Sequence, residues 1–308
     1  MNQQLNLFPE SSISPAEIFE NNRLIDQDIE LNAVDEIFAA STRYRHSHEY
    51  INLLKFISRF PNYSPFNCFL LFIQNPSISY VATAKTWDRK FKRRPKINAR
   101  PMVILAPMGP IRFIFDIKDT EGLPVDDSKL ETTRPKAKHL GKVYRNTLFN
   151  CNIQAITVYE TTLDHENSDT ATRITPALRK QYKDLHLKKD ANYLIIINQR
   201  HSLEEKYASL VYELGHIFCG HLGIDSHAWW SERQALNEIG EEVEAESVTF
   251  LVCRRIGLFA SSQKYLANYA PSNQQLPIFS LNAVLQAASY IEAMGKSRWK
   301  RPKKRSRY

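Results

Sequence analysis

The sequence has no uninterrupted apolar run near the roughly 18 residues needed to cross a bilayer, so a helical membrane span is not expected. Its first residues, MNQQLNLFPESSISPAEIF, have neither a basic start nor an apolar core, and so do not read as a secretion signal. Cysteine is scarce and scattered. Cys68, Cys151, Cys219 and Cys253 form no CxxC pair and no even framework. Cys219 and Cys253 lie among apolar neighbours and read as buried reduced thiols, which fits a reducing cytoplasm. No internal repeat is visible. What is present is an ordinary globular composition, 43% hydrophobic and 24% charged. Its 308 residues suffice for about two domains with proper cores.

The net charge of +8 is unevenly placed. From Gly295 onward the chain reads GKSRWKRPKKRSRY, with eight Lys/Arg and no acid, so this tail matches the whole excess. A second cluster runs from Lys85 to Arg100 through Arg89, Lys90, Lys92, Arg93, Arg94 and Lys96, with Asp88 its single acid. The rest of the chain is acidic. Two concentrated basic segments on an acidic body suggest a polyanion partner, most economically nucleic acid. A basic tail containing Pro302 is also what a solvated chain end looks like. The Lys85–Arg100 cluster differs, because Trp87 and Phe91 interleave with its cations. Single-strand binding needs that pairing: cations for phosphates and flat rings for bases.

Residues 16–74 read as helical. Ile18, Phe19, Leu24, Ile25, Ile29 and Leu31 lead into Val34, Ile37 and Phe38, and Tyr50, Leu53, Leu54 and Ile57 recur at helical spacing. Ser64-Pro65 is a helix start, and the segment it opens, PFNCFLLFIQ, is apolar nearly all round and should be buried. Short β-rich segments follow at Ser79–Ala84, Met102–Ala106 and Ile111–Asp116. Residues 119–150 look polar and irregular, which places a domain boundary near 120–145. Ala155–Tyr159 reads as another strand, followed by a polar stretch to Lys189. Tyr193–Ile197 is a buried strand. A helix then runs from Leu203 to about Cys219, opened by a Ser202/Glu205 capping box and ended by Gly220. Further helices are expected at Glu241–Arg255, Ser262–Asn268 and Leu281–Met294.

The helix after Tyr193–Ile197 carries Tyr212-Glu213-Leu214-Gly215-His216. In an H-E-x-x-H helix, positions i and i+4 share a face, so two imidazoles converge on one zinc ion while the intervening glutamate acts as general base. A third ligand comes from elsewhere, and Glu242 and Glu246, themselves four apart, offer one carboxylate to the metal and another to hold a ligating histidine. The first ligand position is Tyr212, a phenol that must lose its proton to bind zinc well and whose oxygen lies farther from the backbone than an imidazole nitrogen. His221, just past Gly220, could return as a ligand in the way metzincins bring back a third histidine, but its spacing differs from theirs and it reads rather as a cap at the helix end; His201 and His227 read as surface residues. Trp229-Trp230 either lines a cleft or simply packs.

These residues carry a resemblance. LIIINQRHSLEEKYASLVYELGHIFCGH and EVEAESVTFLV are similar to the strand, active helix and second ligand helix of the ImmA/IrrE metallopeptidases, whose pattern has histidine where this chain has Tyr212. The resemblance implies a minimal gluzincin fold over roughly 190–295, with Glu213 as general base, His216 and Glu242 as metal ligands, and Glu246 as a supporting carboxylate. YSPFNCFLLFIQNPSISYVATAKTWDRKFKRRPK and FDIKDTEG resemble the ArdC antirestriction domain, which implies a single-stranded-DNA-binding unit on a mobile element. The expectation is an α+β protein with an ArdC-like domain at 1–140, a zincin-like domain at 141–295 and a basic tail at 296–308. Two functions stay open: a nucleic-acid-binding protein with a degenerate, weak or inactive YExxH site that has lost or weakened zinc binding, and an active zinc metalloendopeptidase using Glu213, with a protein substrate or regulator as partner.

Overall fold

The computed structural model describes residues 47–106, 109–125, 139–162, 169–183, 187–225, 228–258 and 276–300. The helices expected at 16–38 and Ser262–Asn268 lie outside these residues, as does the tail beyond Lys300.

Helix α1, Ser47–Ser58, buries Tyr50, Leu53, Leu54 and Ile57, the stripe its spacing dictates. Helix α2, Pro65–Gln74, starts where Ser64 Oγ accepts the Asn67 amide and Pro65 needs no donor. It buries Cys68, Phe69, Leu71 and Phe72, while Ile73 is exposed, so it is buried on one side rather than all round. Strand β1 is Val81–Ala82, and a helical turn over Ala84–Thr86 and Trp87–Phe91 leads into β2, Arg93–Pro95. The remaining strands of this half are β3, Met102–Ala106, β4, Gly109–Asp116, and β5, Thr120–Gly122.

These strands form an antiparallel sheet in the order β1-β4-β3 and a small β2-β5 ladder. The outer edge of β3 is closed by side chains of α2. Asn67 bonds both the amide and carbonyl of Leu105, at 2.9 and 3.1 Å, and Gln74 does the same for Val103, at 2.8 Å each. Covering an edge strand in this way removes a template for aggregation.

The segment expected to be irregular instead carries α3, Leu140–Ile153. Its buried face mixes Leu140, Tyr144 and Cys151 with Asn146, Thr147 and Asn150, and the two buried amides have partners. Asn146 donates to the Gly295 carbonyl, and Asn150 donates to the carbonyls of Met294 and Ser297, closing the end of the last helix. Strand β6, Ile156–Thr161, runs parallel to β8, Tyr193–Asn198, which pairs on its other side with antiparallel β7, Thr170–Arg173. Between β7 and β8 lies a short α4, Pro176–Gln181; neither β7 nor α4 was expected from the polar run that contains them.

Helix α5, Leu203–Phe218, opens with the Ser202/Glu205 capping box and ends at Gly220, whose φ of 84° suits glycine. Helix α6, Glu238–Arg255, is capped by Asn237, and α7, Leu281–Lys296, by Ser280. The helices α1, α2, α5, α6 and α7 share one apolar core with the strands. Arg255 of α6, wholly buried, joins the halves: it bonds Glu292 of α7 and the carbonyls of Ile57, Phe60 and Tyr63. The architecture is α+β, and no helix among the described residues is long and apolar enough to cross a membrane.

Candidate functional site

Helices α5 and α6 approach closely at Gly215, where an added Cβ would lie 3.2 Å from the Ala245 Cα. That contact sets Tyr212 and His216 beside Glu242. The Tyr212 hydroxyl donates to Glu242 Oε2 at 2.6 Å, and His216 Nε2 lies 3.8 Å from Glu242 Oε1. The three groups of the expected ligand set thus meet, though Tyr212 meets Glu242 as a hydrogen-bond donor. Glu213 projects from the same helix into the fold and is 4% exposed. Glu246 is half-buried one turn along α6.

The electrostatics follow from burial. Desolvation pushes the Glu213 carboxyl up to about 8, with Asp169 and Glu242 adding repulsion and a backbone hydrogen bond from Ala171 opposing them. Glu246 is pushed up to about 7 by burial and by Glu242. The Tyr212 hydroxyl is held well above its ordinary range by burial, by its bond to Glu242, and by the charges of Glu242, Glu246 and Glu213. Burial lowers His216 to about 4, with His221 acting in the same direction, so its ring is neutral.

His221 does not cap the helix with its side chain; its backbone amide does, bonding the His216 carbonyl at 3.1 Å. The imidazole points inward, 5% exposed, with its Nδ1 3.0 Å from His216 Nδ1 and its Nε2 2.9 Å from Glu244 Oε2. Glu244 is wholly buried and also receives Arg233 Nη1 at 2.5 Å and the Ser280 amide at 2.6 Å. A carboxylate oxygen accepts, so Glu244 holds His221 Nε2 as a donor, and across the Nδ1–Nδ1 contact one imidazole donates while the other accepts. A chain of contacts thus runs from Arg233 through Glu244 and His221 to His216. Sequence reading missed Glu244 and Arg233. The one signal was Gly220, which turns the chain back so that a histidine five residues after His216 can face it.

The other expectations divide. Trp87 is fully buried, donates its indole N–H to the Phe115 carbonyl at 2.9 Å and packs on Tyr80 and Phe91, so it offers no face to a base. It is a core residue, and Phe91 is half-buried against it. Arg93 bonds Thr120 and the Leu123 carbonyl and holds β2 to β5. Lys85, Arg89, Lys90, Lys92, Arg94, Lys96 and Arg100 are exposed, Arg94 facing Glu121 at 3.0 Å and Lys96 bonding the Lys118 carbonyl at 2.7 Å. Trp229 and Trp230 pack, both against Phe218. His201 is half-buried, 3.3 Å from Asp169, rather than a surface residue; His227 lies outside the described residues. All four cysteines are buried and free.

A zincin-type position asks for three side-chain donors with lone pairs directed at one point. The residues present do not fit it. The phenol donates a hydrogen bond to Glu242, so it turns a hydrogen rather than a lone pair toward that carboxylate, and the carboxylate oxygen it bonds is engaged.

Residues 165–262 match the family model of the IrrE N-terminal-like domain of M78 peptidases. Two solved structures of the antirestriction protein ArdC from plasmid R388 are also similar. The metal-free form is 13% identical over 77% of this chain and 86% of that one, with a TM-score of 0.36. The Mn(II)-bound form is 14% identical over 76% and 84%, with a TM-score of 0.35. No curated protein matches the chain. The stretch that holds Tyr212, Glu213, His216 and the glutamates of α6 thus lies within the residues that are similar to the IrrE N-terminal-like domain.

Proposed function

We propose that this chain is a nucleic-acid-binding protein carrying a metallopeptidase-like domain whose hydrolytic face is closed. The observation that carries the second half is the 2.6 Å bond from Tyr212 to Glu242. It occupies the place of a metal ligand with a neutral donor. An active zinc endopeptidase would need that phenol to ionise beside Glu242, Glu246 and Glu213, all of which oppose it. Burial pushes Glu213 up to about 8, which leaves less of the carboxylate form that a general base needs.

The first half rests on the exposed cations of residues 85–100. With Trp87 in the core, the support is for phosphate contacts rather than stacking on that ring. Arg59 and Arg112 line a cleft with Tyr80, Thr83 and Thr86, at the start of the same segment, and add two guanidinium groups to the surface. Single-stranded DNA is the preferred ligand, because the segment holds no helix long enough to read a duplex groove.

The test uses the full chain with labelled single- and double-stranded oligonucleotides, and separately with denatured protein substrate and added zinc. The expected result is single-strand binding that weakens steeply with salt, and no cleavage. Cleavage abolished by Glu213→Gln would overturn the closed site. Absence of salt-sensitive binding would overturn the nucleic-acid reading.

A further inference from the structure

Among the described residues, two groups of three side chains bring one ligand atom each within 4.8 Å of one another: His216, His221 and Glu241, and Cys219, His221 and Glu244. The second is already spent. Glu244 is taken up by His221, Arg233 and Ser280, and a cation placed there would face the Arg233 guanidinium. The first group is different. The Nδ1 atoms of His216 and His221 lie 3.0 Å apart, close to the roughly 3.3 Å between two nitrogens bound about 2.05 Å from a tetrahedral ion. The far nitrogen of His221 is fixed by the buried Glu244 carboxylate, the arrangement that orients a ligating imidazole. Glu241 adds a hard oxygen from the first turn of α6.

We propose that a divalent cation of the zinc type binds between His216 Nδ1, His221 Nδ1 and Glu241, beside the position the domain family uses rather than in it. His216 bridges the two places, because its Nε2 faces Glu242 and its Nδ1 faces His221. Filling the new site moves one proton. Metal binding needs a lone pair on both Nδ1 atoms, so the proton held between them passes to His216 Nε2 or to solvent. His216 Nε2 faces Glu242 Oε1 at 3.8 Å, beyond hydrogen-bond reach. Water completes a four-coordinate shell. This inference rests on the closed Tyr212–Glu242 pair and is independent of nucleic-acid binding.

The test is calorimetric titration of the chelator-stripped full chain with zinc alone, with cobalt(II) absorption as a report on tetrahedral coordination. One equivalent is expected to bind. Glu241→Gln should weaken it tenfold or more, within the roughly 10–100-fold range of losses at metal sites, whereas Glu242→Gln should change it less than about threefold. His221→Asn should also weaken it; because that side chain is buried, Glu241→Gln on the partly exposed helix start is the deciding variant. Two results overturn the proposal: sensitivity to Glu242→Gln with indifference to Glu241→Gln, which would put the ion at the family position, or no zinc binding by the folded chain, which would leave only a hydrogen-bonded histidine pair. The first result would also count against the closed site, whereas the second would leave it standing, and peptide cleavage tests that reading separately.

Discussion

Glu213 is a carboxyl placed where burial outweighs everything else: it is 4% exposed and its pKa rises from 4.5 to about 8. Since the folded value lies above the unfolded one, the folded state binds the extra proton. The corresponding stability is fully present below about pH 4.5 and is lost as pH rises through about 8, by up to about 1.4 kcal/mol per unit. Glu213→Gln keeps the shape and removes the titration. Denaturant midpoints across that range should therefore show the variant gaining on the wild type as pH rises; parallel curves would mean that Glu213 is not desolvated. Tyr212 invites the opposite experiment. Tyr212→His returns an imidazole to the face shared with His216, and zinc binding should then become sensitive to Glu242→Gln. If zinc binding by Tyr212→His still ignores Glu242, the phenol is not what closes that position.

Between elements, the strongest tie is Arg255, whose guanidinium meets Glu292 at 2.5 Å and three carbonyls of the chain around the end of α1. Arg255→Met leaves a nearly buried carboxylate and several orphaned carbonyls, and should cost about 3–5 kcal/mol. Thermal unfolding reads this directly as a drop on the order of 10 °C for a chain of this size. Arg255→Met combined with Glu292→Leu should recover part of it, because the unpaired charge is gone. The same contrast between apolar and polar burial decides which elements the sequence revealed. Helices α1, α2 and α5 were readable because their caps and apolar stripes are local features, and β8 because it is a continuous apolar run. Helix α3 was hidden, since Asn146 and Asn150 look like surface residues until the carbonyls of Gly295, Met294 and Ser297 are brought to them by 144 to 149 residues of intervening chain. The site divides in the same way. Tyr212, Glu213 and His216 lie on one helix and announce themselves by spacing, whereas Glu244 resembles any helix carboxylate until His221, Arg233 and Ser280 surround it.

The net charge of +8 could act as a diffuse attraction or through particular side chains, and the two differ in their salt response. Lys85, Arg89, Lys90 and Lys92 are exposed within eight residues, on a turn that carries the buried Trp87. Arg93 belongs to a different class, because its guanidinium is committed to Thr120 and Leu123. Each cation that touches a single-strand phosphate contributes about 0.7 to the slope of log affinity against log salt. Replacing those four residues with serine should therefore lower the slope by up to about 3 and weaken binding at low salt, while thermal stability stays near wild type. Arg93→Ser should do the reverse, loosening the β2-β5 ladder and lowering the melting temperature with little change in slope per folded molecule. Anisotropy titrations at several salt concentrations, paired with melting curves, separate the cases. A slope unchanged in the fourfold variant would move the interface elsewhere, to Arg59 and Arg112 or to the basic residues after Gly295.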